Sequence, residues 1–156
     1  MKTFFFLAIP LLALCSCQHY SDEYIVIPVT AVNGKWTFEK DTVTVTWGYQ
    51  VMHQYINNIG AGSTMQFNDH SINGSINYVA NPDTSLGFVY YLQNSNTNLE
   101  IDYPAQMVYG VMRPEQIYNY TVVKATDHEL VLNYTYSYFD PIGTQGEIYG
   151  NYYWTK

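Results

Sequence analysis

Residues 117–139 read IYNYTVVKATDHELVLNYTYSYF, two alternating runs joined by Thr126, Asp127 and His128. Alternation with period two marks a half-buried strand, because successive side chains point to opposite faces. Tyr118, Tyr120, Tyr134, Tyr136 and Tyr138 all fall on the apolar parity of their runs. Two such runs across a short polar turn predict an antiparallel hairpin, one face of which is built largely from tyrosine.

Working outward, the same period recurs. TVTVTW sets Val43, Val45 and Trp47 against Thr42, Thr44 and Thr46, while GKWTFEK puts Trp36 and Phe38 on one face. STMQF carries Met65 and Phe67, and SINGSINYV sets Ile72, Ile76 and Tyr78 against Ser71, Asn73, Ser75 and Asn77. GFVYYLQ and LEIDY flank the turn cluster NSNTN as a further hairpin, and EIYGNYYWTK closes the chain. YIVIPVT is a short lead-in, where Pro28 suits an edge position. Eight or nine strands at this spacing predict an all-β fold, an antiparallel barrel or sandwich.

Two segments break the pattern. In QVMHQYINNIG the apolar residues Val51, Met52, Tyr55, Ile56 and Ile59 recur every three or four positions. That spacing predicts a short helix over residues 51–58, with Asn58 and Gly60 able to end it; a hairpin arm is the alternative. PAQMVYGVMRPEQ, bracketed by Pro104 and Pro114, reads as an apolar non-strand segment over a barrel rim or on the outer face.

Composition agrees with a folded β domain. Of 156 residues 47% are hydrophobic and only 12% charged, and 17 are tyrosine. Disordered chains combine low hydrophobicity with high charge, so disorder is excluded. Six scattered basic residues against thirteen acidic ones, net −7, offer no patch for a phosphate backbone, which excludes nucleic acid as a partner.

The N-terminus reads as an address. A charged start at Lys2 precedes FFFLAIPLLAL, which is half the length of about 20 residues that a membrane-spanning helix needs. It matches the apolar region of a secretory signal. The two cysteines follow at positions 15 and 17. Cysteines two apart meet disulfide geometry poorly, and a metal site would need further soft ligands.

The stretch Leu14-Cys15-Ser16-Cys17 resembles a bacterial lipobox. This resemblance implies a signal peptide over residues 1–16, lipid on Cys17, including a palmitate-like acyl chain, and a tether with lead-in over residues 17–30. More than one chain gives stable anchoring. GKWTF together with YNYTVVKATDHELVLNYTYSY is similar to the lipocalin-like domains of Bacteroidetes lipoproteins. That likeness implies an up-and-down β-barrel of about eight strands over residues 31–156, in a protein lipid-anchored in the cell envelope at the outer membrane. Such a barrel holds side chains or one small ligand.

Catalytic chemistry finds little support. Asp69-His70 and Asp127-His128 are adjacent pairs at turns, and no Gly-x-Ser-x-Gly elbow occurs. His53, His70 and His128 lack ligand spacing, so neither a metal nor a cofactor is expected. Glu100 and Asp102 lie on the solvent face of their strand. The expected function is non-catalytic binding of a small hydrophobic or amphipathic molecule, lined by Trp36, Tyr118, Tyr120, Tyr134 and Tyr136. The alternative is a surface adhesion or glycan-binding lipoprotein that uses exposed aromatic rings.

Overall fold

The computed structural model describes residues 29–68, 72–108, 110–139 and 142–156. The expected signal peptide, Cys17, most of the lead-in and the Asp69-His70 pair lie outside them.

The alternating runs become strands, as their period requires. A 3₁₀ turn at Val29–Val32 leads into β1 (Gly34–Trp47), followed by β2 (Gln50–Asn57), β3 (Thr64–Phe67), β4 (Asn73–Tyr78) and β5 (Asn81–Gln93). Then come β6 (Asn98–Tyr103), β7 (Gln106–Val108), β8 (Val111–Arg113), β9 (Gln116–Ala125), β10 (Glu129–Phe139) and β11 (Gln145–Thr155). Every pairing is antiparallel, and neighbours run in the order β1-β3-β4-β5-β6-β9-β10-β11, with β11 returning to β1. This is a closed eight-stranded up-and-down barrel.

β2 is the extra strand. It pairs only with the far half of β1, from Asp41 to Trp47, while β3 pairs with the near half, Gly34 to Thr37. The helix expected over residues 51–58 is therefore a strand. Gly48, in the left-handed region at φ 57°, turns the chain back in a two-residue loop. The register then slips between Val45 and Thr46, leaving Met52 as the extra residue. A bulge resets a period of two, so the apolar residues flanking it stand three and four apart, which imitates a helix.

The segment expected to lack strands is also corrected. β7 and β8 form a small hairpin of their own, with Met107, Val111 and Met112 exposed and Val108 buried against the core. It stands on the rim, one of the two locations expected for it.

One end of the barrel is sealed. Trp36 is fully buried there and donates its indole N–H to the Val32 carbonyl at 2.7 Å. The Lys156 ammonium lies 4.3 Å from the centre of its ring, a cation–π lid. Phe67, Phe88 and Tyr90 pack edge to face in the same layer. The Tyr90 hydroxyl donates to the Asn68 carbonyl at 3.1 Å, just past the end of β3. Asp127 and His128 are exposed in the β9–β10 turn, as turn residues should be.

Three rings lie over glycines on the neighbouring strand: Phe88 over Gly74, Tyr134 over Gly150 and Tyr138 over Gly146. A side chain at any of these glycines would collide with the ring that covers it.

Candidate functional site

The opposite end is open. β9 pairs with β10 only through the four residues Leu130 to Asn133, and then turns away to follow β6. Beyond that point β10, β11, β1 and β2 continue together as a projecting sheet. The wall is thereby parted between the start of β9 and the end of β10. A cavity of about 690 Å³ lies behind the parting, within the 300–1,000 Å³ range of small-molecule pockets.

Its wall is aromatic. Tyr118, Tyr120, Tyr136 and Tyr152 line it together with Phe38, Tyr103 and Trp154, above a floor of Met65, Ile76, Leu86, Ile101 and Leu132. Tyr118 stacks on Tyr120, and Tyr134 stacks on Tyr152 with ring centres 4.5 Å apart. Burial, the first cause in each case, pushes the hydroxyls of Tyr103, Tyr120 and Tyr152 far above their ordinary value. These three hydroxyls are thus uncharged at neutral pH and give an aromatic wall polar tips. The Trp154 indole N–H is buried without a partner among the described residues. Arg113, on the rim hairpin, stands at the entrance.

Three of the five expected lining residues, Tyr118, Tyr120 and Tyr136, are on this wall. Tyr134 stands behind it, with its hydroxyl turned toward Asp41. Trp36 is not on the wall: it plugs the sealed end, one turn of chain from its hydrogen-bond acceptor. Inward parity alone does not tell lumen from plug, since both ends of the barrel take inward side chains.

Asp41 is the site residue that the sequence reading passed over. It is 5% exposed, lines the cavity, and accepts the Tyr134 hydroxyl at 3.0 Å to each carboxylate oxygen. It points inward because the β1–β11 register shifts between Phe38 and Lys40. Trp36 and Phe38 face the lumen on even numbers, whereas Asp41 and Val43 do so on odd ones. A switch of parity across Glu39 and Lys40 was visible in the sequence, and it predicts an inward carboxylate.

Among the described residues no Lys, Arg or His forms an ion pair with Asp41. Its titratable neighbours are Tyr134 and Tyr136 on β10 and Tyr152 on β11, all uncharged at neutral pH. Burial raises the Asp41 carboxyl from an ordinary 3.8 to about 6, against a smaller opposing pull from the Tyr134 hydrogen bond. Well below pH 3.8 the group is protonated in folded and unfolded chains alike. As pH rises toward 6 the unfolded chain gives up the proton first, so stability falls and then levels off. The ionised carboxylate costs about 1–2 kcal/mol once contact with cavity water is allowed for. Asp41→Asn is expected to be more stable than wild type by that amount at pH 8 and equal to it well below pH 3.8, at about pH 2.5. Urea unfolding at the two pH values measures this; a variant weaker at both would make the carboxylate a structural necessity.

Among the described residues no group of three or more His, Cys, Asp or Glu side chains is placed to hold a metal ion. His53 lies exposed on β2. Comparison with known protein families, characterised proteins and solved structures finds no match for this chain.

Proposed function

We propose that this is a lipid-anchored binding protein of the cell envelope, which holds one small amphipathic molecule in its barrel without acting on it chemically. The observation that carries this reading is the cavity of about 690 Å³, open at one end, apolar at its floor and ringed with tyrosine hydroxyls. An apolar wall with a few polar tips suits a ligand that is mostly hydrocarbon or aromatic with one polar group. The anchor rests on the likeness of Leu14 to Cys17 to a lipobox, and the likeness of GKWTF and YNYTVVKATDHELVLNYTYSY to lipocalin-like domains supports the binding role.

Native mass spectrometry of the full-length protein, purified from its own host in mild detergent, tests both parts. A co-purifying small molecule, and a lipid mass lost in Cys17→Ser, are expected. A protein that is always empty and takes up no added amphiphile overturns the binding reading; lipid retained in Cys17→Ser overturns the anchor.

A second reading, surface adhesion or glycan binding, draws on the projecting sheet, where Trp47, Tyr49 and Tyr55 are exposed. It predicts binding that survives when the cavity is filled by substitution.

A further inference from the structure

We infer that the cavity selects a cationic amine, which it seats between the carboxylate of Asp41 and the faces of the surrounding tyrosines. Three features converge on this chemistry. The carboxylate is almost fully withdrawn from bulk water yet still borders the cavity. Withdrawing a carboxylate is expensive unless a cation or several donors compensate it, and among the described residues the donor to it is the Tyr134 hydroxyl. The rings beside it are already gathered. Tyr134 stacks on Tyr152 at 4.5 Å and tilts against Tyr136 at 5.3 Å, and Tyr120 meets Tyr152 edge to face at 6.0 Å.

Tyrosine faces attract ammonium groups through the ring quadrupole, and more strongly where water is excluded. A carboxylate beside such rings adds a charge-assisted hydrogen bond for a protonated amine, or a plain Coulomb partner for a quaternary one. An anionic ligand head would meet Asp41 with no compensating cation among the described residues at that depth. Arg113 stands at the water-exposed rim, where its charge is screened. The floor of Met65, Ile76, Leu86 and Leu132 then takes the apolar part of the ligand. An amine also accounts for keeping an unpaired acid in an otherwise neutral lumen: the bound cation replaces the hydration the carboxylate has lost.

This assignment presupposes that the cavity is a binding site, so the probes are chosen to separate the two. Phenylbutyl trimethylammonium, phenylbutanol and phenylbutanoate share one apolar body and differ in charge, and none of the first two titrates. Calorimetry on the full-length protein, with micelle blanks subtracted, should rank the cation first and the anion last. Asp41→Asn should weaken the cation roughly tenfold to a hundredfold and leave the alcohol within about twofold. In wild type, lowering the pH from 7 to 5 should weaken the cation about tenfold, as the carboxylate takes up its proton, and leave the alcohol unchanged. That second measurement needs no variant.

Equal affinity for cation and alcohol, unmoved by pH or by Asp41→Asn, overturns the amine assignment and leaves the cavity as a binding site. Failure of all three probes at any accessible concentration overturns both.

Discussion

Trp36→Ala is expected to cost about 3–5 kcal/mol of stability, a large share of what a barrel of this size has to lose. Trp36 is fully buried, so the substitution removes the largest side chain of the sealed end and leaves a void among closed-shell neighbours. It also strands the Val32 carbonyl, which accepts the indole N–H at 2.7 Å. Losing that donor inside the core adds a desolvation cost to the cavity cost. The Lys156 ammonium loses the ring it covers, and the Val29–Val32 turn loses its hold on the barrel floor. Tyr118→Ala, by contrast, removes a half-buried ring from the open wall and should cost much less. Urea unfolding of both variants gives the comparison. A Trp36→Ala loss below about 1 kcal/mol would mean that the sealed end closes without its plug.

The contrast between these two rings shows what the sequence made legible. Alternation placed both Trp36 and Tyr118 on inward faces, and both are inward. The depth of each along the barrel axis is set by pairing partners far away in the chain, so periodicity says nothing of it. The hairpin of β9 and β10 was readable because its turn, its parity and its strand lengths all lie within one local stretch. β2 was not, since a single bulged residue at Met52 turned a strand into an apparent helical stripe. The hairpin of β7 and β8 was hidden for another reason: strands of three residues are too short to display a period. Asp41 lies between these cases. Its inward direction depends on a bulge, but the parity switch that the bulge produces is written in the apolar residues on either side. Reading parity breaks as bulges would have recovered both Met52 and Asp41.

Gly150→Ala is expected to destabilise the protein by about 3 kcal/mol or more, although it adds only one methyl group. Gly150 faces Tyr134 on one neighbouring strand and Val43 on the other, so it sits in the seam where β11 closes the barrel against β1. A Cβ there would collide with the Thr42 backbone carbonyl and come within 2.9 Å of the Tyr134 hydroxyl oxygen. Neither can give way cheaply. Thr42 belongs to the ten-pair ladder of the seam, and Tyr134 is held over the glycine by its hydrogen bond to Asp41. The methyl group must therefore part the seam or push the hydroxyl off the carboxylate, and either outcome disturbs the cavity wall. Gly87→Ala is the matched control. Gly87 also lies within a strand, but a Cβ there meets nothing within 4 Å, and alanine in a compatible strand position should add up to about 1 kcal/mol. Two glycine-to-alanine changes in strands of one barrel are thus expected to act with opposite sign. Equal effects in thermal or urea unfolding would show that the β1–β11 seam has slack, and that Tyr134 does not depend on the bare backbone beneath it to reach Asp41.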